Sequence, residues 1–337
     1  MRLALAQLNP LVGDLSGNTG MILKACEQAE AGKADLLLTP ELSLWGYPPR
    51  DLLLQPERLN QQKDVLDQLT RDLDQRQSNL TVLVGAAIAI QDDRRPALHN
   101  AIVQVSRQGW RPVAHKQLLP NYDVFDERRY FRPGARSSSL VLDNGLRLGL
   151  TICEDLWVDN ELQRERLSGP DPVADLIDDA PDLLINLAAS PFDASKPSLR
   201  QQLAARAAVR LNCPVVYLNQ VGGNDDLVFD GSSVAAWPDG TVVLAPAWAE
   251  GVLTVDLEDP HACIWTPSNA SDALCLGSTK VTLLGAEEAP HVQNDAESLV
   301  DAVVTGLADY CRKSGLQRIV LGLSGGIDSA VAACVAA

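Results

Sequence analysis

No apolar run in the 337 residues has the uninterrupted length of a membrane-spanning helix. Residues 1–8 are too short an apolar stretch for a signal peptide and read as a first strand. Positive charge is scarce: 28 Lys and Arg face 44 Asp and Glu, a formal net charge of −16. That balance argues against non-specific binding to nucleic acid or to an anionic membrane surface. The cysteines (Cys26, Cys153, Cys213, Cys263, Cys275, Cys311, Cys334) are an odd number, seven, and scattered. No CxxC pair suggests zinc or a redox couple, so a reducing cytoplasmic setting is expected. Histidine is rare, with only His99, His115, His261 and His291. No internal repeat is evident.

What remains is an ordinary globular composition, 46% hydrophobic and 21% charged. Strand and helix signals alternate. Strands are expected at 2–8, 35–39, 80–90, 99–106, 182–187, 215–221 and 252–257, and helices at 56–76 and 198–211. Another helix is expected at 18–31, with Asn18 as its cap and Gly32 as its stop. Hairpins are expected across Asp143-Asn144-Gly145 and Pro238-Asp239-Gly240. The stretch carrying Lys116 reads as turn-rich. Many strands, two hairpins and interspersed helices predict an α/β sandwich of mixed sheets.

Three apolar stretches end on chemically active side chains. Residues 148–152 lead to Cys153-Glu154-Asp155, residues 36–39 lead to Pro40-Glu41, and Val113-Ala114-His115 leads to Lys116. A thiol at a strand-to-helix junction meets the positive end of a helix dipole, which favours thiolate and oxyanion. Glu41 would then act as base and acid. Lys116 would lower the thiol pKa and, with the Glu154 N–H, stabilise an oxyanion. His115 offers a Cys–His alternative, but adjacent residues of an extended segment face opposite ways, so His115 and Lys116 cannot both point inward. The other six cysteines read as small hydrophobes.

Pro40-Glu41, Lys116-Gln117-Leu118-Leu119-Pro120 and Cys153-Glu154-Asp155 resemble the three catalytic motifs of the nitrilase, or carbon–nitrogen hydrolase, superfamily. The resemblance implies an α/β fold, the four-layer αββα nitrilase sandwich, over roughly the first 260 residues. It also implies catalytic roles for Glu41, Lys116 and Cys153, with Glu127 as a second, orienting glutamate.

From about residue 259 the pattern loosens into a Pro-rich linker or wrapping arm, 259–294. Residues 1–258 read as the amidase-like domain. Residues 295–337 read as the incomplete opening of an α/β nucleotide-binding domain: a helix at 295–313, an apolar strand at 317–323, a Gly-rich turn and a second helix. Ser324-Gly325-Gly326-Ile327-Asp328-Ser329 lets backbone N–H groups approach an anion at a helix start. It is neither a Walker A loop nor GxGxxG. It is similar to the pyrophosphate loop of the ATP pyrophosphatases, which implies ATP binding by these six residues.

The two parts together resemble the glutamine-dependent NAD⁺ synthetase family. That resemblance implies glutamine hydrolysis supplying ammonia for amidation of deamido-NAD⁺, with ATP and Mg²⁺ in the synthetase step. The glutaminase step would need no cofactor or bound metal. It also implies glutamine contacts by Tyr122, Ser190, Lys196 and Glu154, a homo-oligomer, and no membrane or nucleic-acid partner. Tyr47 is read as pocket wall or packing. The rival readings are an amidase for another small amide and a catalytically silent scaffold.

Overall fold

Alternate residues of the first strand, β1 (Arg2–Gln7), enter two different cores. Leu3 and Leu5 face one, while Ala4 and Ala6 face the other, as the two-residue period of a strand requires. A strand buried on both faces belongs in the middle of a layered structure, and β1 sits there. The computed structural model describes residues 1–92, 96–137, 139–163, 167–268, 280–283 and 295–337. Cys275 and His291 lie outside the described residues.

The elements follow as α1 (Leu15–Ala31), β2 (Leu36–Leu38), α2 (Pro56–Gln75), β3 (Thr81–Ala89), β4 (Leu98–Ser106), β5 (Gly109–His115), β6 (Ser139–Val141) and β7 (Arg147–Ile152). Then come β8 (Leu183–Ala188), α3 (Lys196–Leu211), β9 (Val215–Asn219), β10 (Val221–Asn224), β11 (Leu227–Asp230), β12 (Val234–Ala236), β13 (Thr241–Leu244) and β14 (Gly251–Asp256). The last are β15 (Ile264–Pro267), β16 (Lys280–Leu283), α4 (Asp295–Lys313) and α5 (Ile327–Ala336).

The strands build two mixed seven-stranded sheets, ordered β15-β14-β1-β2-β3-β4-β5 and β16-β13-β12-β9-β8-β7-β6. In each, a parallel trio (β1-β2-β3 or β7-β8-β9) is flanked by antiparallel strands. Leu36, Leu38, Leu83 and Ile102 of the first sheet meet Leu148, Leu150, Leu183 and Ile185 of the second in one core. On the outer face of the first sheet, Leu37, Val82 and Val84 pack with Ile22 and Cys26 of α1 and Leu66 and Leu69 of α2. Leu203, Ala204 and Ala208 of α3 join the core of the second sheet. The layers are therefore α, β, β, α, the sandwich expected above.

Several local readings differ. Helix α1 starts earlier than expected, because Asp14 caps it by accepting the Gly17 N–H at 2.9 Å. Asn18 lies inside the helix, buried, and ties Leu11 to Leu44 through its amide. The stretch carrying Lys116, expected to be turn-rich, contains strand β5, at the sheet edge, where Pro112 forfeits nothing a neighbour needs. The pairing of β5 with β4 slips between Ile102 and Val103, so Val113 is an extra residue. Residues 215–221 divide into β9 and β10, and β10 pairs with β11 in a small separate hairpin. The strand expected at 317–323 does not form: Val320 is 96% exposed, and among the described residues no strand lies beside it. A strand without a neighbour leaves its backbone groups unpaired.

Helix α4 docks on the β10–β11 hairpin through a polar latch. Asp309 accepts from the Asn9 side chain and the Gly223 N–H, both at 2.7 Å. Lys313 donates to Asn9 Oδ1, Pro10 O, Gly223 O and Asn224 Oδ1 at 2.6–3.1 Å. Cys26 and Cys213 are buried as expected, whereas Cys334 is exposed.

Candidate active site

Each parallel trio of strands opens its carboxyl ends toward one edge of the sandwich, and the polar residues singled out above cluster there. Glu41 lies just past β2, in a tight turn that needs a positive φ at Leu42 (48°). This turn presses on Gly85 of β3. A Cβ at Gly85 would lie 2.2 Å from the Pro40 carbonyl oxygen and 2.3 Å from the Leu42 nitrogen. Backbone atoms so placed cannot step aside cheaply. Gly85→Ala is therefore expected to push the Glu41 turn outward and cut amide hydrolysis about 100-fold, the scale of an ångström's misplacement. Ammonia release by the purified variant checks this; near-parental rates would mean the turn yields without moving the carboxylate.

Glu41 is 1% exposed and fully engaged. Its Oε1 accepts from Lys116 Nζ at 2.7 Å and from Asn100 Nδ2 at 2.6 Å, and its Oε2 accepts the Ala189 N–H at 3.0 Å. Lys116 extends the β5 edge, its N–H reaching the Asn100 carbonyl at 2.9 Å. Its Nζ also donates to Glu127 Oε1 at 2.8 Å, and Glu127 Oε1 receives the Tyr47 hydroxyl at 2.8 Å. An ammonium has three donors. Two are committed to carboxylates, which leaves one for a ligand. His115 points away, its ring stacked on His99 at 4.2 Å, and burial lowers its pKa to about 4.

Cys153 follows β7 at the head of a 3₁₀ turn (Cys153–Leu156), with φ of 47°. A non-glycine residue rarely adopts that conformation, and such strain concentrates at functional sites. The thiol is 8% exposed and lies within the electrostatic reach of Glu41, Lys116, Glu154 and Glu127. Burial raises its pKa well above the ordinary thiol value, Glu41 raises it further, and Lys116 pulls it down without prevailing. The lowering by Lys116 expected above is present but outweighed, because a dry site with three carboxyl groups disfavours a further anion.

The neighbouring charges obey the same balance. For Lys116, burial opposes the ammonium, but Glu127 and Glu41 together outweigh it and raise its pKa. Burial raises Glu127 to about 7, against the pull of Lys116. Among the described residues its Oε2 is buried without a hydrogen-bond partner. Glu154 is raised by burial, with Lys116 and Lys196 opposing, and interacts with the Tyr122 hydroxyl. Lys196, at the start of α3, sits 6.0 Å above the Trp157 ring. Ser190 is buried, its N–H bonded to Asn219 Oδ1 at 2.8 Å.

The structure therefore joins Glu41, Lys116 and Glu127 by direct hydrogen bonds, with Cys153 in the same field. Tyr122, Glu154 and Lys196 line up beside that cluster, and Ser190 adjoins Ala189, whose N–H holds Glu41. Sequence reasoning missed Asn100, Asp155 and the hydroxyl role of Tyr47. Asn100 stands opposite Lys116 in an antiparallel pair, a signal legible only once β5 is recognised. Asp155 was in plain view in the motif after Cys153. The Ser324–Ser329 loop lies apart and exposed, with Gly325 at φ 84° and Gly326 capping α5. The Ser324 and Ser329 hydroxyls are 3.2 Å apart.

Residues 2–261 match the carbon-nitrogen hydrolase family model, and residues 299–337 match the NAD synthase model. The chain is 39% identical to the glutamine-dependent NAD(+) synthetase of Synechocystis sp., over 99% of its own length and 56% of the relative's. It is 35% identical to the Thermotoga maritima protein of that name, across 100% of this chain and 58% of the relative. The chain thus spans little more than half the length of these curated relatives. Among solved structures, glutamine-dependent NAD+ synthetase from Acinetobacter baumannii matches with a TM-score of 0.80 and 30% identity, covering 99% of this chain and 56% of that one. An amidase from Nesterenkonia sp. AN1, solved with acrylamide added to its active-site cysteine, matches with a TM-score of 0.61 and 25% identity, covering 78% and 97%. With its αββα layers, a glutamate, a lysine and a cysteine at one edge of them, and a family match across most of its length, the chain belongs to the carbon–nitrogen hydrolase family.

Proposed function

We propose that the sandwich hydrolyses the carboxamide of glutamine and that the ammonia serves an ATP-dependent amidation of deamido-NAD⁺. The observation that carries the first half is the bonded Glu41–Lys116–Glu127 chain beside a strained, buried Cys153. As the substrate carbonyl enters, the thiol proton passes to Glu41 while sulfur attacks carbon. The oxyanion takes the third Lys116 donor and the Glu154 N–H. Glu41 then returns the proton to the leaving nitrogen, and ammonia departs. Water, deprotonated by Glu41, cleaves the thioester; glutamate leaves and the thiol is restored.

Glutamine is favoured over a featureless amide by the charges flanking the thiol. Glu154 suits the substrate's α-ammonium and Lys196 its α-carboxylate, with Tyr122 and Ser190 as neutral partners. The amidation half rests on the Ser324–Ser329 loop at the head of α5, where successive N–H groups and a helix start suit a pyrophosphate. The names of the relatives given above support both halves. Mg²⁺ belongs to that reading as well, but among the described residues no three acidic, His or Cys side chains gather to hold one. No step is assigned to it. Assembly into a homo-oligomer and a cytoplasmic setting are part of the same proposal.

Ammonia release from L-glutamine, L-asparagine and acetamide tests the substrate. A preference for glutamine of at least about 100-fold in kcat/KM is expected from two additional charge-assisted contacts. Equal rates on acetamide would remove glutamine from the proposal and leave a general amidase.

A further inference from the structure

The Cys153 turn belongs to the second sheet and Lys116 to the first, yet their relative position must hold to a fraction of an ångström. The core between the sheets is apolar, built from Leu3, Leu38, Leu83, Leu150 and Ile185 among others. Apolar burial is non-directional, so it resists separation of the sheets better than it resists a slide of one over the other. Fixing the slide needs directional bonds across the gap.

The geometry points to Asp155 as the residue that supplies them between the two catalytic turns: a positioning residue whose carboxyl group ties the nucleophile turn to the lysine turn, while Ser233 donating to Gln7 Oε1 links the sheets elsewhere. Its Oδ1 accepts the N–H groups of Gln117 and Leu118, at 3.0 and 2.8 Å, directly after Lys116. Its Oδ2 accepts the N–H of Ile152, at 3.1 Å, directly before Cys153. Asp155 is 1% exposed, so these bonds form where water cannot replace them. One side chain therefore grips the backbone on the inner flank of both catalytic turns. The same contact holds Cys153 at its positive φ, since the bond from Ile152 closes the turn in which Cys153 lies. Glu41, through Ala189, is the other carboxylate that crosses between the sheets here, but it must also carry protons. Asp155 touches no reacting atom and is free to act as a fixed brace.

An amide in place of the carboxylate keeps one acceptor oxygen and turns an NH₂ toward an N–H donor. It can hold the lysine turn or the nucleophile turn, not both. This inference rests on the proposed amide hydrolysis, and its test separates the two. For Asp155→Asn, kcat for glutamine is expected to fall about 100-fold with KM within threefold, since the substrate contacts lie elsewhere. Labelling of Cys153 by iodoacetamide, read by mass spectrometry, is expected to rise about fivefold while Cys26 and Cys213, buried in the sandwich, label at parental rates. A general loosening would expose all three thiols together. Asp155→Glu keeps both acceptor oxygens and lengthens the arm, and the same pattern in weaker form is expected; it stands alone if the amide variant does not fold. Parental kcat in either folded variant, or a rise in KM alone, overturns the brace, as does parallel labelling of Cys26 and Cys213. Should the parent protein hydrolyse no amide, the functional proposal fails, and the brace stands or falls on the selective labelling of Cys153.

Discussion

Glu41→Gln is expected to lose amide hydrolysis by about 10³-fold, the range for removing a general base, while Cys153 stays open to alkylation. The two readouts part because, on the proposed mechanism, Glu41 acts on the thiol in two opposed ways. Its charge raises the Cys153 pKa, second only to burial. On the proposed mechanism, however, its basicity is the route by which the thiol proton leaves and later reaches the departing nitrogen. Neutralising the side chain makes the thiolate easier to form in bulk solvent equilibrium and removes the acid–base partner from the reaction. Iodoacetamide, which needs no proton delivered to a leaving group, should therefore label Cys153 at least as fast in the variant at about pH 8.5. Glutamine turnover, measured in parallel, should be lost. If labelling fell in step with turnover, Glu41 would be holding the thiol in place rather than moving its proton. Turnover within tenfold of the parent would assign the base to another group.

How much of this was open to reading from the sequence depends on whether the signal was local. Glu41, Lys116 and Cys153 each end an apolar stretch, and a strand's end is a local property; three such ends in order made a site legible without coordinates. The mixed sandwich was legible for the same reason, through hairpin turns at Asp143–Gly145 and Pro238–Gly240 that form as expected. Other features depend on distant partners. Strand β5 was hidden because Pro112 and Gly109 carry turn signals that only its edge position neutralises. The net shift of the Cys153 thiol was not legible, because a motif names neighbours of one sign at a time. The net effect of burial, three carboxyl groups and one ammonium depends on how dry the pocket is. The strand expected at 317–323 had the right residues and no neighbour to pair with. Asn100 and Tyr47 declare their roles only through bonds to Glu41 and Glu127, residues 59 and 80 positions away.

Lys116→Met should damage both chemistry and folding, and a second substitution can separate the two. The ammonium is the hub of a fully buried three-residue ion cluster, bonded at 2.7 and 2.8 Å to Glu41 and Glu127. Removing it strands two carboxylates in the interior, which costs about 3–5 kcal/mol for a broken buried pair. On the proposed mechanism it also removes the donor left for the oxyanion, worth about 10²–10³ in kcat. Adding Glu127→Gln takes away one of the stranded charges, so thermal stability should recover in part while turnover does not. The pH dependence has a definite sign. Burial raises the Glu127 carboxyl from 4.5 to about 7 in the folded protein, so the native state holds a proton that the unfolded chain releases. That group's contribution to stability is present below about pH 4.5 and is lost as pH rises through about 7. Without Lys116 pulling the carboxyl down, the loss should extend to higher pH. Melting of Lys116→Met should therefore approach the parent in acid and diverge from it above neutrality, and the double variant should flatten that divergence. A gap independent of pH would mean that the methionine disturbs packing and that the buried charges are not what Lys116 holds in balance.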